Sequence, residues 1–140
     1  MNKKSFWKFR KVIIAFIALT IALTFPSEKV FGQTSWTAPK SANNLKNPYK
    51  NDKASLQKGK TLYKQYCAIC HGEKGKGDGM AGMSLKPRPA NLTKEAFFKQ
   101  TDGAVFWKLT EGKPPMAAYK TVLTKEQRWQ LVSYIKSLRK

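Results

Sequence analysis

Apolar residues recur at helical spacing in several stretches of the second half of the chain. Leu56, Leu62, Tyr63 and Tyr66 form one stripe, which predicts a helix over residues 55–67 with Asp52 or Ser55 as its cap. Gly59 lies inside that helix, where glycine costs about 1 kcal/mol relative to alanine. Its presence predicts that another backbone or ring comes close there. A second stripe, Leu131, Tyr134, Ile135 and Leu138 with Trp129 beside it, predicts a final helix reaching about residue 138. Thr124 and Gln127 at its start fit a capping box. Leu131 and Tyr134 are the expected neighbours of Gly59 and Tyr63. Two shorter helices are expected between these, over 93–99 with Thr93 as cap and over 102–110 with Gly112 just past its end. Phe97, Phe98, Val105, Phe106, Trp107 and Leu109 supply apolar walls. The pattern is all-α, with three to five short helices and no strand signal.

Ahead of this domain, residues 12–25 are an apolar run broken only by Thr20 and Thr24, behind a basic front of Lys3, Lys4, Lys8, Arg10 and Lys11. That length fits the core of a secretory signal peptide and falls short of the roughly 20 residues that span a bilayer. Residues 1–32 therefore read as an export leader, cut after Gly32, with an uncleaved anchor as the alternative because the site is not a clean Ala-x-Ala. Residues 33–53, rich in Ser, Thr, Asn, Lys and Pro, read as an irregular arm that Trp36, Pro39, Pro48 and Tyr49 pin to the body, with a disordered linker as the alternative. Residues 54–140 remain as the folded domain.

Charge adds a partner class. The chain has 27 basic and 8 acidic residues; the leader holds six of the former and one of the latter, which leaves the rest at +14. Such a field speeds encounter with acidic partners in a salt-dependent way. The bland alternative is a solvated, lysine-rich surface. No nucleic-acid motif is visible, and membrane contact is expected only if the leader stays in place.

Chemistry concentrates in Cys67-Ala68-Ile69-Cys70-His71, which contains both cysteines and the one histidine of the chain. Cys-x-x-Cys-His reads as covalent attachment of a c-type haem, each thiol adding to one vinyl group and the histidine donating a nitrogen to iron. The competing readings are weaker. A thioredoxin-like pair needs a βαβ context, a structural zinc site needs about four Cys or His ligands, and a disulfide closing so short a loop is strained.

After the motif, glycines at 72, 75, 77 and 79 break regular structure, and a loop over residues 72–93 is expected to wrap one edge of the haem. Metal-bound histidine gives its other N–H to a carbonyl or carboxylate, and the Pro87-Arg88-Pro89 turn is the expected source. Arg88 is a candidate to neutralise a haem propionate, with plain surface charge as the alternative. On the other face of the iron, Met116 is the candidate thioether ligand, stiffened by Pro114 and Pro115 before it. Met80 and Met83 compete for that role but follow His71 by only 9 and 12 residues, which leaves them on its side of the haem.

Taken together, Gly59 with Tyr63, CAICHG, the GKGDG loop, the proline-rich turn before Leu92-Thr93, Met116 before Tyr119 and the aromatic last helix resemble a class I c-type cytochrome over residues 55–138. The resemblance implies a cytochrome c-like fold with crossed N- and C-terminal helices around one covalent haem c. It implies Cys67 and Cys70 as attachment points, His71 as proximal and Met116 as distal ligand; Pro87, Arg88 and Tyr119 are further candidates to lie beside the cofactor. Many relatives carry Met-Pro at the distal position, whereas here Pro115 precedes Met116 and Ala117 follows. The implied function is one-electron transfer outside the cytoplasm, by a free carrier or a subunit of a respiratory or dehydrogenase complex, rather than catalysis. A haem enzyme of the peroxidase type or a gas sensor needs a displaced Met116 and a polar distal group. A basic exported module without cofactor is the remaining alternative.

Overall fold

The computed structural model describes residues 36–139, so the expected leader over 1–32 and arm residues 33–35 lie outside the described part. Five α-helices carry the fold: α1 (Lys53–Tyr66), α2 (Ala68–His71), α3 (Glu95–Phe98), α4 (Asp102–Glu111) and α5 (Lys125–Ser137). Two 3-10 turns, Lys40–Asn44 and Met80–Gly82, complete the regular structure, and no strand occurs among the described residues.

Helix α1 starts at Lys53 because the Asp52 carboxylate accepts the Ala54 and Ser55 amides, at 3.1 Å each, and the Ser55 hydroxyl at 2.6 Å. These bonds satisfy donors that a helix start leaves open. They also hold the Asp52 carboxyl below its ordinary range, the Ser55 hydroxyl being the largest cause. At the other end of the domain, α5 has the expected capping box: Thr124 Oγ1 accepts the Gln127 amide and Gln127 Oε1 accepts the Thr124 amide.

Helices α1 and α5 cross at Gly59. A Cβ there would overlap the Gln130 carbonyl and come to 3.0 Å of the Tyr134 Cβ. The backbone partner is therefore Gln130, one residue before the expected Leu131, while Tyr134 meets Tyr63 as expected at 5.2 Å between ring centroids. The buried side of α1 is Ser55, Gly59 and Tyr63, at i, i+4 and i+8, with Leu56, Leu62 and Tyr66 only half-buried. Small residues occupy the seam because the helix axes approach closely there.

Helix α5 is buried well beyond its apolar stripe. Leu131 and Val132 are fully enclosed, and Arg128, Gln130 and Ser133 are buried too. Several neighbours share in this: the Ser133 hydroxyl donates to the Tyr49 carbonyl at 3.0 Å and accepts the Asn47 side-chain amide at 3.0 Å, the Gln130 backbone is covered by α1 at Gly59, and Arg128 lies over the Phe106 ring. Further back, Ala38 and Ala42 pack with Ala104 and Trp107, and Lys108 Nζ lies 5.4 Å from the Trp36 ring centre. Trp36 and Tyr49 thus pin the arm as expected. Pro39 and Pro48 are exposed, and the arm contains a helical turn that its composition did not suggest.

The short helices differ from expectation in their starts. Thr93 does not cap one: its amide and hydroxyl both go to Asn91 Oδ1, forming a local turn, and α3 begins two residues later behind Lys94. Helix α4 is capped by Thr101, whose hydroxyl accepts the Ala104 amide at 3.0 Å, and ends at Gly112 with φ +64° as expected.

Candidate functional site

Cys67 ends α1 and starts α2, so the pair of thiols and the imidazole sit on one tight turn. The Cys67 carbonyl accepts both the Cys70 amide (3.1 Å) and the His71 amide (2.8 Å), which places the second cysteine and the histidine one turn on. The two cysteines form no disulfide with each other. Burial, with Cys70 adding to it, pushes the Cys67 thiol up to about 12.

Loop residues then fold back over the turn. The Cys70 and His71 carbonyls, left open at the helix end, accept the Gly79 and Gly77 amides at 3.2 and 2.8 Å. A Cβ on Gly79 would lie 2.5–2.6 Å from the carbonyl oxygens of Ile69 and Ala68, so only glycine lets the loop press this close. The Tyr63 hydroxyl donates to the Gly72 carbonyl at 2.7 Å and ties the loop start to α1.

His71 Nδ1 lies 3.0 Å from the Ala90 carbonyl. A carbonyl oxygen only accepts, so Nδ1 carries the proton and Nε2 keeps its lone pair for a metal. Burial holds the ring below its ordinary range, against the opposing pull of the Ala90 carbonyl, and so favours the neutral form that ligates. The carbonyl comes from Ala90 and not from the Pro87–Pro89 turn; the turn reverses the chain, and the residue after it arrives at the imidazole. Pro87 and Arg88 themselves are exposed. No side-chain signal marks Ala90, since any residue supplies a carbonyl.

The Met116 segment is fixed by its backbone. Lys113 and Met116 exchange both main-chain bonds, at 3.1 and 2.8 Å, and close a tight turn around Pro114 and Pro115. The Tyr119 amide donates to the Leu109 carbonyl at 3.0 Å and its hydroxyl to the Tyr66 carbonyl at 2.9 Å. Tyr66 directly precedes Cys67, so Tyr119 couples the Met116 loop to the attachment turn. Burial, followed by the nearby Cys67 and Cys70 thiols, pushes the Tyr119 phenol up to about 12. Met116 is half-buried against the main core, whereas Met80 and Met83 are exposed.

Two thiols one turn apart, an imidazole with one nitrogen committed to a carbonyl, and a half-buried thioether on a stiff loop form a donor set that fits a covalently held haem. Tyr63, Val105, Phe106, Leu109 and Leu123 supply the adjoining apolar core. Among the described residues no group of three or more His, Cys, Asp or Glu residues suits a bare metal ion.

The profile of the family described as cytochrome c oxidase, cbb3-type, subunit III matches residues 54–135. The chain belongs to this family of c-type cytochromes. Its cofactor is accordingly a covalently bound haem c, and its role is that of an electron carrier. Solved structures agree with this reading. The KustC0563 c-type cytochrome is 27% identical over 59% of this chain and 98% of its own, with a TM-score of 0.51. A chain of the Kuenenia stuttgartiensis reducing HAO-like protein complex Kustc0457/Kustc0458 is 25% identical over 69% of this chain and 47% of its own, with a TM-score of 0.57. Cytochrome cL of the marine methylotroph Methylophaga aminisulfidivorans, 20% identical over 84% of this cytochrome and 73% of its own chain, shares the fold at a TM-score of 0.56. No curated protein matches. The expected cytochrome c-like fold, with its crossed terminal helices, is the one observed.

Proposed function

We propose that this cytochrome passes single electrons between redox proteins outside the cytoplasm, with Cys67 and Cys70 holding the haem by thioether bonds, His71 as proximal ligand and Met116 as distal ligand. The observation that carries the reading is the His71–Ala90 bond, which commits one ring nitrogen and leaves the other for iron. When bound, the haem supplies an iron that takes up and releases one electron. The residues of this chain set the conditions. Ala90 fixes the tautomer and orientation of His71. The Lys113–Met116 turn and the Tyr119–Tyr66 bond hold the thioether in place. A neutral thioether favours the ferrous state and raises the potential. The apolar core adjoining the site acts in the same direction by disfavouring the extra ferric charge.

Support for export comes from the leader pattern of residues 1–32 and from the extracytoplasmic attachment of haem in bacterial relatives. Support for acidic partners comes from the +14 net charge that remains outside residues 1–32. The neighbour from the Kuenenia complex is itself part of an assembly, and this cytochrome acts either free or as one subunit of such a redox assembly. The test is spectroscopic. The exported protein should carry one haem that survives denaturation, and the Cys67→Ala, Cys70→Ala double variant should lose it. Met116→Ala should abolish the weak red-edge band of thioether-bonded ferric iron and let the ferrous protein bind carbon monoxide. Rapid carbon monoxide binding by the unmutated ferrous protein would refute the closed-site reading.

A further inference from the structure

We propose that the buried guanidinium of Arg128 poises the reduction potential of this cytochrome, raising it through a positive charge that no acid of the chain balances. The inference rests on the electron-carrier reading and adds to it a residue outside the ligand set that tunes the transfer.

Arg128 stands in the first turn of α5 and is only 9% exposed. Its Nη1 donates to the Leu123 carbonyl at 3.0 Å, and its Nε has no partner. The guanidinium lies 5.3 Å from the Phe106 ring centre, and Trp129 stacks on that same ring at 4.0 Å between centroids. No carboxylate pairs with it among the described residues; the ion pairs there join Lys120 to Glu111, Lys136 to Asp102 and Arg139 to Glu95. Glu126, two residues away, is exposed and accepts the Gln130 side-chain amide at 2.8 Å. Buried charges are normally paired, and an apolar side chain of similar volume often serves stability as well or better. Arginine cannot shed the cost by losing its proton. A charge kept in this setting points to a use other than folding.

Its surroundings supply that use. Phe106 belongs to the same buried core as Cys67, and Met116 and Tyr119 pack against that core. Leu123, whose carbonyl Arg128 holds, gives its own amide to the Tyr119 carbonyl at 2.9 Å, within the segment that begins at Met116. The guanidinium and the residues assigned to the haem thus share one apolar body. Oxidation adds a positive charge to the iron, and a fixed cation in the same body opposes it. Two unit charges about 13 Å apart, the radius of gyration of a domain near 100 residues, shift an equilibrium roughly ninefold at an effective dielectric constant near 20.

The test is a spectroelectrochemical titration of the haem-loaded protein at pH 7. Arg128→Met removes the charge and keeps the stem; Arg128→Gln removes the charge and keeps a donor for the Leu123 carbonyl; Arg128→Lys keeps the charge. Both neutral variants should shift the one-electron equilibrium about fivefold to tenfold toward ferric iron, a fall of about 40–59 mV at 59 mV per tenfold. Arg128→Lys should stay within about twofold of the unmutated protein. Lys60→Gln, which removes an exposed charge, should also stay within about twofold, and salt near 1 M should erase its shift while leaving most of the Arg128→Met shift. The red-edge band of thioether-bonded ferric iron should persist in all four variants. If both neutral variants keep the unmutated potential, or if Arg128→Lys falls as far as they do, the proposal is overturned while the carrier reading stands. Loss of the red-edge band together with the potential in both neutral variants would make Arg128 a brace for the Met116 segment and overturn it as well. An unmutated protein without a reversible one-electron haem couple would instead defeat the carrier reading.

Discussion

Gly59→Ala sets two effects against each other, and the structure decides between them. On propensity alone, alanine in the middle of α1 should stabilise the helix by about 1 kcal/mol. The added methyl group, however, would fall on the Gln130 carbonyl and against the Tyr134 Cβ. Neither neighbour is a flexible side-chain end that can swing away, so α1 and α5 must part along a seam where Tyr63, Leu131 and Val132 are fully buried. Overpacking of this kind costs about 1–3 kcal/mol, and the rigidity of the carbonyl argues for the upper part of that range or beyond. We therefore expect a net loss of about 2 kcal/mol, which for a domain near 100 residues lowers Tm by about 8–16 °C. The assay is reversible thermal or urea unfolding of the haem-loaded protein followed by far-UV circular dichroism. Lys60→Ala, at the neighbouring exposed position, serves as control and should change stability by no more than about 0.5 kcal/mol. A Gly59→Ala protein as stable as the parent would refute the close crossing.

Further outcomes follow from the Met116 loop and its supports. Tyr119→Phe removes the hydroxyl bond to the Tyr66 carbonyl and should cost about 1 kcal/mol in urea unfolding. The same variant has a pH signature. Burial raises the folded Tyr119 phenol from 10.0 to about 12, so its contribution is complete below pH 10 and is lost as the pH climbs from 10 towards 12. Tyr119→Phe should flatten that alkaline arm of the stability curve, and identical alkaline losses in parent and variant would rule out its part in it. Arg128 is buried, donates from Nη1 to the Leu123 carbonyl at 3.0 Å, lies 5.3 Å from the Phe106 ring centre and leaves Nε without a partner. Arg128→Ala should cost about 2–3 kcal/mol, whereas Arg128→Met keeps the apolar stem, relieves the orphaned N–H and should cost about 1 kcal/mol. Equal losses in the two variants would show that the charge, not the stem, is what the site uses.

What could be read from residue order was what side chains signal locally. Asp52, the Thr124–Gln127 box and Gly112 are chemical marks of helix ends, and each stands at the end of a helix here. Gly59 told of a close crossing because only a backbone need justifies glycine there. The Cys-x-x-Cys-His run carried the cofactor with it. Three features escaped for a shared reason. The Ala90 bond, the cover that residues 47–49 give α5 and the register of Gln130 against Gly59 all depend on main-chain atoms brought together by the path of the chain. Thr93 shows the reverse error: a residue suited to capping was taken by a nearer competitor, Asn91.

Main-chain anchoring of His71 through the Ala90 carbonyl, and of the Met116 turn through the Lys113 backbone, makes those bonds independent of which side chain stands at 90 or 113. Evolution can therefore retailor the outer coat of this cytochrome to a new electron donor or acceptor while the inner electronic setting stays as it was. Drift at such positions would read as divergence between homologues that still hold their iron alike.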